Sequence, residues 1–454
     1  MRSAALHALA DRLAASGLNT LVMEWEASFP YSRHATITGG TAYAPHEVHA
    51  FLAHCRGLGI TVIPLQQTLG HLEYVLRHPR YAHLRESQEN LCQVCPCKAG
   101  EARALFRELF QDMRDYHDGP YIHLGGDEAY LLGDCPRCAA VAKEHGLSRL
   151  YADYMNVIIE EAKAAGWRPV LWADMLLKHP ECVGLLPRDT VLVDWNYGWA
   201  RDRFGPPEAL LERGFTVWGA AALRSSPDNH SRTEWARHLD NFREFIPRAR
   251  RDGYRGMILT SWSTSGLYGY NHDAGGKVLD LLPVRRVYPL NGHDVLLEAF
   301  AEALRTEAPL DPAVFLHDYA RVRFGLVERD ADVFADSLLK KGDVRLAGLQ
   351  PARNETEWAH LALIEAFAGI AAEVAAAEAI CQAANFARSD RDSMRARLAP
   401  LVGRLEDLER TYAGLQTGYL AAGEARADAA YRDRALLDLY ARVGGVRPGA
   451  VKQN

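Results

Sequence analysis

The decamer Tyr121-Ile122-His123-Leu124-Gly125-Gly126-Asp127-Glu128-Ala129-Tyr130 sets out residue types in an order suited to acid–base chemistry. A short apolar run, Tyr121 to Leu124, meets two glycines and then two adjacent carboxylates. Glycines at such a point let the backbone turn sharply and come close to a ligand. Two carboxylates this near each other do not both ionise freely, so their pKa values are expected to separate. One neutral acid beside one carboxylate is what cleavage of a glycosidic bond uses. An acidic turn alone would read as solvated surface. His123, the glycine pair and the apolar run favour a site at the tip of a buried strand.

Such a tip needs a scaffold, and the chain repeats its pattern. Apolar runs lie at Thr20 to Met23, Thr61 to Leu65, Tyr121 to Leu124, Pro169 to Trp172, Val191 to Val193, Thr216 to Trp218 and Gly256 to Thr260. Near-continuous Val, Ile and Leu is expected of parallel strands buried on both faces. Helical stretches fall between most of them, at His46 to Gly57, Arg103 to Tyr116, Leu150 to Ala165, Pro207 to Arg213 and Trp235 to Arg251. Polar and aromatic residues gather where the runs end. They are Glu24, Trp25 and Glu26; Gln66 and Gln67; Asp127 and Glu128; Trp172 and Asp174; Trp195, Asn196 and Tyr197; Trp218; and Trp262. Functional groups spread over many strand ends describe the active face of a (β/α)₈ barrel, the TIM barrel, whereas an open sheet gathers them at one switch point.

The barrel needs eight strands and the runs number seven. The amphipathic stretch Ala4 to Ser16 reads as the helix that follows a first strand, so that strand is expected upstream of Met1, the alternative being that another element replaces it. Beyond about Asn291 the pattern is helical only: Asp294 to Arg305, Pro312 to Arg323, Glu357 to Ala387, Arg391 to Tyr419 and Asp428 to Val443. The expected organisation is a catalytic barrel over residues 1–290 and an all-helical domain over residues 291–454. The alanine stripe from Ala366 to Ala379 reads as close helix packing.

Composition narrows the classes. The 454 residues suit one large and one smaller domain, and 48% hydrophobic with 24% charged residues is ordinary for a globular protein. A net charge of -6 makes no electrostatic case for nucleic acid or an anionic membrane. No apolar run is long enough to span a bilayer, and the opening helix is no secretory signal. Eight cysteines in this length read as reduced thiols, which points to the cytoplasm.

Several segments, in order, resemble glycoside hydrolase family 20, the β-N-acetylhexosaminidases, and within it the hexosaminidase D-like branch. They are Met23-Glu24-Trp25-Glu26 with Phe29-Pro30-Tyr31, the stretch Val62 to Tyr74 containing Gln66-Gln67-Thr68-Leu69-Gly70-His71, and His123-Leu124-Gly125-Gly126-Asp127-Glu128. The resemblance covers most of residues 1–290. It implies a substrate-assisted reaction, in which the sugar's 2-acetamido oxygen attacks the anomeric carbon to form an oxazolinium ion. Glu128 would be general acid and then base, kept protonated by the adjacent Asp127 charge. Asp127 would take the acetamido N–H, and Tyr197 would bond the acetamido oxygen. Relatives often carry Asp where Asn196 stands, so one charge is missing there.

Trp172, Trp218 and Trp262 are expected to wall the sugar and its acetamido methyl. Glu24, Trp195 and Asn196 are expected among the substrate-binding residues, Asp174 to bind a sugar hydroxyl or cap the following helix, and His71 and His123 to fix the carboxylates. In relatives the first strand carries a residue that clamps the ring, and no residue here takes that role. The implied partners are N-acetylhexosamine-containing glycans; a homodimer is allowed, and no cofactor is required. Other readings are a specialised glycan substrate, disaccharide or glycolipid, or an impaired barrel that only binds carbohydrate.

Two cysteine clusters, Cys92 with Cys95 and Cys97, and Cys135 with Cys138, lie on loops at the same face. Cys95, Cys97, Cys135 and Cys138 have the paired spacing of a structural zinc site. Free thiols are the expectation, because the first cluster holds one cysteine too many and no zinc-ribbon core surrounds it.

Overall fold

In the computed structural model, which describes residues 1–225, 228, 233–262, 290–340, 346–383 and 386–446, the apolar runs are seven parallel strands bonded in chain order. They are β1 (Thr20–Glu24), β2 (Thr61–Leu65), β3 (Tyr121–His123), β4 (Arg168–Trp172), β5 (Val191–Trp195), β6 (Thr216–Arg224) and β7 (Met257–Ser261). Because side chains alternate along a strand, each strand feeds two cores. Leu65, Val170, Trp172, Val191, Val193, Trp195, Ala220 and Ala222 form an inner cluster, onto which Val22 of β1 and Ile258 of β7 also pack. Both edge strands therefore reach one interior, and the sheet curls as a barrel does. Val62, Leu171, Leu192 and Val217 point the other way, into the helices.

Those helices are amphipathic in the way the pattern requires. Ala99–Arg114 buries Ala102, Leu105, Phe106, Leu109, Phe110 and Met113 along one stripe. Between β3 and β4 the structure has two helices, Pro136–His145 and Leu147–Ala164, where one was expected. The first is a polar surface helix started by Pro136 and capped by the Cys135 sulfur, so apolar periodicity does not reveal it. Strand β6 also outruns its expected end at Trp218. Gly219 to Ala222 lack bulk, yet pairing with β5 as far as Ala220 and with β7 as far as Arg224 carries the strand on.

The open side of the curled sheet lies between β1 and β7. Among the described residues nothing pairs with the outer edges of β1 and β7, and both strands are less buried than β2, β4 and β5. The ring of helices closes at that place all the same. Helix Asp294–Arg305 packs on Trp235–Asp252 through Phe300 and Phe242, whose rings lie 5.7 Å apart. It reaches the opening helix Ser3–Ala15 through Asp294 to Arg12 (3.8 Å) and Glu298, which accepts from the Ser16 hydroxyl (2.7 Å).

Helices Pro312–Tyr319 and Glu328–Leu339 extend this shared core, together with Trp358, Leu361 and Ile364. Helices Glu355–Cys381, Arg388–Gln416 and Ala422–Arg442 form a separate core around Phe367, Ile370, Leu398, Leu405, Tyr412 and Leu439. Along the alanine stripe Val374 and Ala377 are buried, and the small neighbours let helices approach. The far end of this unit folds back on the barrel, where Arg2 donates its backbone N–H to the Tyr419 carbonyl (2.6 Å). No helix of the described residues is long and apolar enough to cross a membrane.

Candidate active site

After His123 the chain passes Gly125 at φ 66° and Gly126 at φ 84° before Asp127, and Glu128 itself takes φ 48°. A side chain at Gly125 would run into the Gln67 amide, and one at Gly70 would meet the Asp127 carbonyl at 2.8 Å. The turn is thus open only to glycine at these positions. Tyr151 donates to the Gly126 carbonyl (2.9 Å), Thr68 to that of Leu124 (2.6 Å) and Tyr154 to that of Thr68 (2.5 Å), all buried. Of the four non-glycine residues with positive φ among those described, Glu26, His71 and Glu128 follow β1, β2 and β3. Each costs on the order of 1–3 kcal/mol, and such strain collects at functional sites.

His71 stands between the two carboxylates, its Nε2 3.4 Å from Asp127 Oδ2 and 3.3 Å from Glu128 Oε2. Burial works against its charge, but Asp127 and Glu128 prevail and lift its pKa well above the ordinary value. Burial raises Asp127 to about 6 against the pull of His71. Burial also pushes Glu128 up, but hydrogen bonding and charge from His71, with help from Tyr130 and Lys178, hold it below the usual carboxylate range. The pair is split as expected and in the opposite sense. Glu128 was to be the raised acid; His71 takes the proton instead, because a cation touches both carboxylates. Behind it, burial raises Glu73 to about 7.

Tyr197 is buried, and its hydroxyl accepts from Trp262 Nε1 at 2.8 Å. Burial raises its pKa, and the charges of Asp127 and Glu128 act in the same direction. Trp172 lies against His123, with centroids 4.4 Å apart, and against Trp262 at 6.0 Å. Asp127 Oδ1 and Trp172 Nε1 are buried polar atoms with no hydrogen-bond partner among the described residues. Such groups are few in folded proteins, and a bound ligand would satisfy both. Glu24, at the end of β1, accepts from Gln67 Nε2 at 2.9 Å.

Other candidates hold the site without facing it. Asp174 is fully buried and accepts from the Glu128 N–H (3.2 Å), Lys178 (2.9 Å) and the Trp195 indole (3.4 Å). Its oxygens are occupied, so it orients the Glu128 backbone instead of a sugar hydroxyl. Trp195 packs on Tyr197, Trp199 and Phe204. Asn196 closes its own loop: its oxygen accepts from Gly198 N (3.0 Å), Trp199 N (3.3 Å) and Asn241 (3.3 Å), and its amide donates to the Trp199 carbonyl. His123 does not touch the carboxylates. Its Nδ1 accepts the Gly125 N–H at 3.1 Å, and burial lowers its pKa to about 3, so the ring is neutral with its proton on Nε2.

Trp218 is a correction of position. It is the third residue of the nine-residue β6 and meets Tyr121, the first residue of β3, at 5.5 Å, near the opposite end of the barrel from the site. The strand continues past it, and the expected end was six residues early. Tyr130 was not singled out from sequence, yet its hydroxyl comes near enough to Glu128 to help hold that carboxyl down, with the residue 71% exposed. A tyrosine two residues past the acid, at the end of the same motif, was the available signal. Cys95, Cys135 and Cys138 do meet; the neighbour whose oxygen lies within 4.8 Å of all three sulfurs is Glu86, while Cys97 packs beside Cys138 at the edge of the set.

A curled parallel α/β sheet with a carboxylate pair at the C-terminal ends of its strands defines a glycoside hydrolase of the barrel type. The profile described as glycosyl hydrolase family 20, catalytic domain, matches residues 12–215. The chain is 31% identical over 287 residues to hexosaminidase D of Bos taurus, covering 60% of this chain and 81% of that protein. To hexosaminidase D of Homo sapiens it is 31% identical over 288 residues, covering 59% of this chain and 57% of that protein. The chain belongs to glycosyl hydrolase family 20 and is hexosaminidase D-like. The X-ray structure of a Flavobacterium johnsoniae chitobiase shares the fold at TM-score 0.52 and 13% identity, over 99% of this chain and 71% of that one.

Proposed function

We propose that the chain is an exo-acting, retaining β-N-acetylhexosaminidase that removes terminal β-linked GlcNAc or GalNAc by substrate-assisted catalysis. The 2-acetamido oxygen attacks the anomeric carbon as the glycosidic C–O bond breaks, and the proton held on His71 passes through Glu128 to the departing oxygen. Water then opens the oxazolinium ring while Glu128 takes a proton back, so the anomeric configuration is retained. Asp127 Oδ1 accepts the acetamido N–H and balances the cationic intermediate. The Tyr197 hydroxyl donates to the acetamido oxygen, and Trp172 and Trp262 wall the ring. The His71–Glu128 pair is the proton store of this reaction.

The observation that carries the reading is the buried, unpartnered Asp127 oxygen beside Glu128, with both carboxylates under one imidazole. The eight cysteines, none of them in a disulfide, support a cytoplasmic setting. In the same reading residues 1–290 are the catalytic barrel and residues 291–454 its helical companion. The test is hydrolysis of 4-nitrophenyl β-GlcNAc and β-GalNAc by the chain and by Glu128→Gln. Turnover by the chain, falling by about three orders of magnitude or more in the variant, is expected. No turnover of either substrate by a folded chain would sink the simple-hexosaminide reading.

A further inference from the structure

Outside the carboxylate site, two loops of the same face bring four ligand-type side chains together. Glu86, Cys95, Cys135 and Cys138 each offer an atom, all within 4.8 Å of one another. Cys95 Sγ is 3.6 Å from Cys135 Sγ and 3.5 Å from Cys138 Sγ, and Cys138 Sγ is 3.4 Å from Glu86 Oε2. A disulfide would hold two sulfurs near ~2.0 Å, so these are separate thiols. Zinc–sulfur bonds of about 2.3 Å at tetrahedral angles place sulfurs about 3.8 Å apart, close to what is seen.

The surroundings suit a metal. Glu86 is only 5% exposed and forms no ion pair among the described residues, and a buried carboxylate is ordinarily paired or metal-bound. Cys138 and Cys95 are buried too. The Cys138 N–H points at Cys135 Sγ (3.4 Å), an arrangement that favours the thiolate at a helix start.

We propose that Cys95, Cys135, Cys138 and Glu86 form a structural zinc site that ties the loop after β2 to the loop that follows Glu128. All four positions are filled by protein, so the metal has no open position for catalysis. The hydrogen bonds show what it would hold. Gln93 accepts from the Leu131 N–H (2.9 Å) and Glu86 from the Cys135 N–H (2.9 Å), so the clamp grips both ends of the segment just past Tyr130. Cys135 is seven residues beyond Glu128, and a fixed anchor there limits how far the acid and Tyr130 can swing.

The test begins with the full-length chain, purified under reducing conditions with any affinity tag removed. Elemental analysis should find about one zinc per chain, and Cys138→Ser and Glu86→Gln should weaken binding by roughly tenfold or more. Replacing zinc by cobalt should give thiolate charge-transfer absorption of a tetrahedral site. In the folded wild type, alkylation of Cys95, Cys135 and Cys138 should be slow, and should become fast when a chelator is added. That last measurement holds even if the variants fail to fold. Metal-free protein whose three thiols react regardless of chelator would overturn the site. A disulfide among Cys95, Cys135 and Cys138 in peptide mass spectra would do so equally.

Discussion

A cation set between two carboxylates decides which acid in the site carries the proton. His71 draws Glu128 below the ordinary carboxylate range, while burial keeps Asp127 at about 6. The reaction needs Asp127 ionised, so kcat/KM should fall on the acid side with a midpoint near pH 6. Replacing His71 by Asn removes the positive charge that lowers both carboxylates, so both pKa values rise. The whole pH–rate bell should then move to higher pH by about one unit or more, as expected when a contacting charge is lost. A His71→Asn profile that overlays the wild type would remove His71 from the proton store. His71 was in view as a partner of the carboxylates. The direction of its effect was not, because adjacency in sequence shows Asp127 beside Glu128 and hides a cation arriving from another loop.

At the scale of elements, the turn after β3 is where local sequence and tertiary packing agree most tightly. The glycine pair predicts a sharp turn, and the structure explains why each position excludes a side chain. Gly125 has φ 66° and its missing Cβ faces the Gln67 amide. Gly125→Ala should therefore cost about 2 kcal/mol or more, from backbone strain and a forced shift of Gln67. Loss of activity should exceed the loss of stability, since Gln67 also holds Glu24. Thermal unfolding and kcat/KM measured together check this; an unchanged melting point would show that the turn tolerates the methyl. Strand β6 teaches the converse lesson. Gly219 to Ala222 carry little strand preference, and pairing with β7 throughout, and with β5 as far as Ala220, decides their state. Trp218 was misplaced for that reason.

Across the whole molecule, the C-terminal helices join the barrel through a shared apolar core and through part-buried polar contacts at its edge. Trp235 donates its indole N–H to Glu365 at 2.6 Å, linking the helix before β7 to the long helix Glu355–Cys381. Burial raises Glu365 to about 7 against the hydrogen bond's opposing effect. A carboxyl raised on folding contributes stability that is full below its ordinary value near 4.5 and lost as pH rises through about 7. Glu365→Gln keeps an acceptor for Trp235 without the charge. It should raise stability at pH 8 by roughly 1–2 kcal/mol and change little at pH 5. Melting curves at the two pH values test this, and equal shifts at both would point to packing instead of titration.

The amino-acid order alone determined the seven strand positions, their parallel class, the helical C-terminal third and the decamer that carries the carboxylates. It could do so because burial on both faces, helical periodicity and glycine turns are local patterns, written within a few residues of where they act. Tertiary structure alone decided which groups meet. It placed His71 against both Asp127 and Glu128, turned Asn196 and Asp174 into supports, and set Glu86 where Cys97 was expected among the thiols. Proton sharing and ligand sets depend on distances of a few ångströms between segments far apart in the chain. No local pattern encodes those distances; they follow from how the loops pack once the barrel has formed.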